Sequence, residues 1–172
     1  MGNEKSKSKI IAEIDITEDL INKDIKIISS FEQYKKEYQW NEKFNESFYY
    51  SNEYAINECK IKINKKKIPF SYNYKFDKKG KYIIEYSLPK DITKINHLFS
   101  GCSYLTSIDL SHFNTHNIEN MSYMFFDCNC LKKIYLPHLD TQNVKDMSYM
   151  FTHCLSLTDI NLSCFNTEML RI

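Results

Sequence analysis

The sequence predicts an α+β protein in two parts, a small β-rich cap followed by a coil of stacked repeats, and three observations lead there. Residues 1 to 90 carry 18 lysines against 14 acidic residues, whereas residues 91 to 172 carry five basic residues against eight acidic ones, so the chain changes character near residue 90. The first part alternates apolar and polar residues with the period of half-buried strands. The second part repeats one apolar pattern every 26 residues. A chain of 172 residues can hold one ordinary domain, or a small domain joined to a short repeat array, and leaves no room for a large multidomain enzyme.

Residues 1 to 8 read as a flexible, lysine-studded tail, and residues 9 to 90 as the cap. Ile10, Ala12, Ile14 and Ile16 fall on one face of a strand, and Ile25 and Ile27 alternate after the turn-prone Asn22-Lys23-Asp24. Ser29 followed by Glu32 makes a capping box, which puts Phe31, Tyr34 and Tyr38 on one face of a short helix. Residues 41 to 57 are an aromatic, polar loop without period. Alternation returns with Cys59, Ile61 and Ile63, with Phe70, Tyr72, Tyr74 and Phe76, and after the turn Asp77-Lys78-Lys79-Gly80 with Tyr82, Ile84, Tyr86 and Leu88. About five strands and one helix suggest a β-grasp module or a small sandwich.

Residues 91 to 172 repeat in register: Phe99, Phe125, Phe151; Cys102, Cys128, Cys154; Leu105, Leu131, Leu157; Ile108, Ile134, Ile160; Leu110, Leu136, Leu162. A 20 to 29 residue period built on L-x-x-L-x-L implies a leucine-rich-repeat solenoid of about three repeats, the last incomplete at Ile172. Its strands are expected at Thr106 to Leu110, Lys132 to Leu136 and Thr158 to Leu162, parallel and about 4.8 Å apart. Segments 120 to 125 and 146 to 151, which share Met-Ser-Tyr-Met-Phe, form the helical or turn-like convex side.

The string from Phe113-Asn114-Thr115 through Met121-Ser122-Tyr123-Met124-Phe125, then Cys128 and Leu131-Lys132-Lys133-Ile134-Tyr135-Leu136, resembles the BspA-like leucine-rich-repeat surface proteins and their relatives in mycoplasmas and protists. The resemblance covers about residues 95 to 172. It implies a right-handed solenoid with a binding or adhesive role, cell-surface adhesion in the bacterial members, and no catalytic residues.

Charge and composition narrow the function. The formal net charge is +1, and every basic residue except Arg171 is lysine, so neither a phosphate-neutralising field nor a supply of base-reading forks is present and nucleic acid is not an expected partner. With 13 Tyr, 11 Phe and one Trp the chain has the means to build a core. No apolar run approaches the ~20 residues of a membrane span, and the start has no apolar stretch of signal-peptide type, so the expected location is cytoplasmic. The glycines are Gly2, Gly80 and Gly101, too few for a phosphate loop or a nucleophile elbow, and the repeat register places no carboxylate beside His97, His116 or His153. The reading is therefore not an enzyme, with no cofactor.

The six cysteines are expected reduced, with Cys102, Cys128 and Cys154 as a buried thiol ladder; Cys128 and Cys130 form a C-x-C without the second pair a zinc finger needs. A column of His112, His138 and Cys164 is the one candidate metal site, and a metal-dependent activity there is the alternative to binding. Strand alternation leaves Ser107, Asp109, Lys133, Tyr135, Asp159 and Asn161 on the exposed sheet face, where stacked repeats usually meet a protein partner. Lysines 60, 62, 65, 66, 67, 75, 78, 79 and 81 read as solvated hairpin ends, with anionic lipid as the functional competitor.

Met1-Gly2-Asn3-Glu4-Lys5-Ser6 fits the M-G-x-x-x-[ST] acceptor for myristoylation of Gly2. One acyl chain binds membranes only marginally, and Lys5, Lys7 and Lys9 supply the second signal toward an anionic surface. The expected protein is thus a non-catalytic protein–protein interaction module, a membrane-tethered intracellular adaptor. Expressed in a eukaryotic cell, the chain should pellet with membranes and Gly2→Ala should release it; an unacylated amino terminus by mass spectrometry would remove the tether.

Overall fold

The computed structural model describes residues 8–39, 52–137, 139–158, 160–163 and 165. The strands are β1 (Lys9–Ile16), β2 (Asp24–Lys26), β3 (Lys60–Ile63), β4 (Lys66–Ile68), β5 (Asn73–Lys75), β6 (Gly80–Ser87), β7 (Leu105–Asp109) and β8 (Lys133–Tyr135). The helical elements are a 3-10 turn (Glu18–Leu20), α1 (Phe31–Glu37) and α2 (Glu53–Asn57). Six strands form one mixed sheet in the order β4-β3-β6-β1-β7-β8, and β2 pairs with β5 in a small second sheet.

Strand β1 lies inside the large sheet. It pairs antiparallel with β6 along its whole length, from Lys9 opposite Ser87 to Ile16 opposite Gly80. Its other edge pairs antiparallel with β7, Ile11 opposite Asp109 and Ala12 opposite Ile108, with a register shift between Glu13 and Ile14. Isoleucine suits this position because its branched side chain packs well on a pleated surface. Ile10, Ala12 and Ile14 are fully buried on the inner face, while Glu13 and Asp15 are exposed on the other.

This pairing overturns the expected fold class. The molecule is not an α+β cap followed by a leucine-rich-repeat solenoid; it is mostly β, with few helices among the described residues and a sheet that runs through residue 90 without a break. The edge of β7 is covered by β1, a strand from the far end of the chain, and only β8 joins β7 in parallel. Among the described residues of 158–162 no strand forms, so the third expected rung is absent. The 26-residue register extends one edge of a mixed sheet. One hydrophobic cluster reaches from Ile10 to Met150.

Local chemistry explains most element ends. Ser30, not Ser29, caps α1: its Oγ accepts from the Gln33 backbone N–H at 3.2 Å. Ser29 is fully buried, and its hydroxyl finds no partner among the described residues. Asn64 and Lys65 both have positive φ, 47° and 68°, as a tight two-residue hairpin requires, and they fold β4 onto β3 where no strand was expected. The alternation at 70–76 yields only the three residues of β5. The expected loop at 41–57 contains α2 at its end; residues 40–51 lie outside the described set.

The repeats meet through backbone bonds between residues 25 or 26 apart. Lys132 N–H donates to the Thr106 carbonyl at 2.9 Å, Ile95 to Asn120 at 2.9 Å, Met121 to Asp146 at 2.9 Å, and Phe125 to Met150 at 3.0 Å. The side chains of Asn120 and Asp146 each accept from the backbone and hydroxyl of the serine two residues on, which sets the same corner twice. Phe99 and Phe125 stack with ring centroids 5.9 Å apart, and Phe125 and Phe151 at 5.7 Å. Cys102 and Cys128 are fully buried and Cys154 partly so; the thiols of Cys128 and Cys154 donate to the Phe99 and Phe125 carbonyls, each at 3.1 Å. Burial pushes the Cys154 thiol up to about 11 and Cys59 up to about 12, so they stay protonated near neutrality.

Phe125 is buried at the middle of the phenylalanine stack, with neighbours a period away on both sides. Phe125→Ala should cost about 3 to 5 kcal/mol of unfolding free energy, read from urea denaturation. A loss below about 1 kcal/mol would mean that the stack does not bear on stability.

Candidate functional site on the open face of the sheet

Because side chains opposite one another in a sheet share a face, the pairing registers define what the solvent side presents. One row crosses all six strands: Lys67, Lys62, Glu85, Ile11, Asp109 and Tyr135. A second row carries Ile83, Glu13, Ser107 and Lys133, and a third Lys60, Ser87 and Lys9. Tyr135 is 51% exposed and Ile83 48%. Ile108 and Ile134, in the same strands, turn to the core instead.

Over β1, β3, β4 and β6 this face opens into a cleft of about 1260 Å³, bounded by the end of α2 and the loop 111–114. Its lining includes the apolar Ile11, Ile68 and Phe70, the lysines Lys9, Lys60, Lys62 and Lys67, and the glutamates Glu58 and Glu85. Lys62 lies 3.8 Å from Glu85. No ion pair holds Lys9, Lys60 or Lys67 among the described residues.

The expected partner-binding residues are placed unevenly. Ser107, Asp109, Lys133 and Tyr135 share the open face, as described. Asn161 is exposed and accepts from Ser163 N–H at 2.9 Å, outside any strand, and Asp159 lies outside the described residues. Of the metal column, His112 lines the cleft, whereas His138 and Cys164 lie outside the described residues. Among the described residues no group of three or more His, Cys, Asp or Glu side chains is arranged to hold a metal ion. Gly2, Lys5 and Lys7 also lie outside them, and Lys9 is the first residue of β1, its N–H bonded to the His112 carbonyl at 3.0 Å.

Two histidines do have carboxylate partners, against expectation. His153 Nδ1 lies 2.7 Å from Asp127, and His116 Nδ1 lies 3.1 Å from Asp140. The first pair was legible: 127 and 153 differ by one period, so they occupy one column with Gly101. The Tyr38 hydroxyl also donates to Asp127, and burial together with that bond raises its pKa. At Gly101 the space is taken by Lys26, which crosses it to reach Glu37; a Cβ there would stand 3.1 Å from the Lys26 Nζ.

A third column, His97, Tyr123 and Tyr149, carries positive φ of 57°, 55° and 56°. Left-handed backbone costs a residue with a Cβ roughly 1 to 2 kcal/mol. Here the rings stack, His97 on Tyr123 and Tyr123 on Tyr149, each pair 4.8 Å apart, and Tyr34 of α1 covers His97 at 4.2 Å. Aromatic contacts of this kind return about 0.5 to 1.5 kcal/mol each.

Residues 70–171 match the family model described as Mycoplasma protein of unknown function, DUF285. The chain belongs to this family. At that level the match agrees with a BspA-like relationship, and it takes in β5 to β8 while leaving β1 to β4 outside. No curated protein and no solved structure matches the chain. Among the described residues no helix is long and apolar enough to cross a membrane.

His97 is 1% exposed, and burial holds its pKa down at about 3, well below the usual 6.5. The rings against it, Phe31, Tyr34 and Tyr123, bring no charge near neutrality. The folded state keeps it neutral while the unfolded state protonates it, so its contribution is intact above about pH 6.5 and is lost as pH falls toward 3, by up to ~1.4 kcal/mol per pH unit. His97→Asn, which tolerates the left-handed backbone, should flatten the fall in urea stability between pH 7 and pH 5. An unchanged slope would mean that His97 is already protonated in the fold.

Proposed function

We propose that the chain is a non-catalytic protein–protein interaction module that meets its partner through the open face of the six-stranded sheet around Tyr135. The carrying observation is the half-exposed Tyr135 ring at one end of a mostly charged row that crosses every strand of the six-stranded sheet. An amphipathic ring on a rigid strand loses little freedom on binding, which is why tyrosines serve as interface anchors. Asp109 beside it in register, and Lys133 and Ser107 in the next row, supply the polar rim. The BspA-like resemblance supports recognition over catalysis. A tether at Gly2, helped by Lys5 and Lys7, belongs to the same reading and would hold the module against an anionic membrane.

The test places a photocrosslinking residue at Lys133 and compares capture in cells with and without Tyr135→Ala. Capture of one discrete species should fall severalfold in the alanine variant, while the melting temperature moves by no more than about 2 °C. Equal capture would remove Tyr135 from the interface and move the binding surface elsewhere on the fold.

A further inference from the structure

The geometry points to the cleft over β1, β3, β4 and β6 as the seat of an extended acidic peptide segment presented by a protein partner. This rests on the reading of the open sheet face as an interface and names the chemistry of what that half of it receives.

Size comes first. A cleft of about 1260 Å³ exceeds the ~300 to 1,000 Å³ of ordinary small-molecule pockets and suits several residues of chain. Charge comes second: four lysines stand against two glutamates, and one of those, Glu85, is already beside Lys62. Among the described residues Lys9, Lys60 and Lys67 pair with no carboxylate, which leaves them to a partner's. Spacing comes third. Lys60 and Lys9 stand on either side of Ser87, two inter-strand steps or about 10 Å apart, close to the ~9.3 Å between residues i and i+3 of a polyproline II segment, where those side chains share a face. Ile11 lies in the row that carries Lys62 and Lys67, so a segment with an apolar side chain among its acidic ones finds both kinds of contact. Elsewhere in the first half of the chain, Lys75 and Lys79 are matched with Asp24 and Glu18 and have no such vacancy.

Fluorescence anisotropy on the purified full chain tests this with a labelled synthetic peptide of about ten residues, mostly glutamate with two leucines. The peptide should bind, its glutamine analogue should not, and binding should weaken with added salt. Lys60→Glu combined with Lys67→Glu should weaken it at least about tenfold, and Lys75→Glu combined with Lys79→Glu should change it little. Should the reversal impair folding, Lys60→Gln with Lys67→Gln should still weaken binding without adding negative charge. Equal binding by the cleft variants and wild type would overturn the proposal, as would binding of phosphatidylserine vesicles with none of the peptide. Partner capture that depends on Tyr135 but not on Lys60 and Lys67 would reject the cleft and keep the interface; loss of both dependences would reject the interface too.

Discussion

Everything else in the molecule depends on β1 being paired on both edges. Its four inward residues are almost fully excluded from water, and its backbone groups are shared between β6 and β7. A strand in that position joins the two halves of the chain in one sheet, because the lysine-rich hairpins on one side and the repeats on the other hang from the same eight residues. The solvent face is continuous for the same reason. Lys67 and Tyr135, from opposite ends of the sheet, belong to one row only because β1 joins them in register.

The repeats add a second constraint at the opposite edge. Each period must turn the backbone through left-handed conformations at two columns, and only one of those six positions is a glycine. The remaining five carry side chains that use the unusual geometry. Aromatic rings stack along one column, and Asp127 meets His153 along the other. α1 closes the stack at His97, which ties the first part of the chain to the turns of the repeats much as β1 ties it to the sheet.

The sequence made the strand positions and the inward residues readable wherever alternation was strict. Ile10 to Ile16, Ile61 with Ile63, and Ile108 with Ile134 all show it. The cleft and the continuous face were not readable, because they depend on which strands pair, and periodicity says which way a side chain points without saying what lies beside it. Period 26 invited a self-contained array, yet nothing in residues 91 to 172 reveals that β1 takes the place a preceding rung would fill. The hairpin at Asn64 and Lys65 was hidden for a local reason: lysine is a poor marker of a left-handed turn. Asp127 with His153 was overlooked although arithmetic alone would have found it.

The placement of β1 also bears on how the protein is made. Synthesis delivers Lys9–Ile16 before β6 and β7, and Asp109, which pairs with Ile11, follows 98 residues after it. A segment reading Lys-Ile-Ile-Ala-Glu-Ile-Asp-Ile, rich in β-branched residues and without proline, must wait in a half-paired state with one edge open. Such a strand invites pairing with the same strand of a neighbouring nascent chain, and the alternating Glu13 and Asp15 are placed to discourage that by like-charge repulsion. The exposure of that strand's edges during translation is therefore set by the order of the strands, separate from the stability of the finished fold.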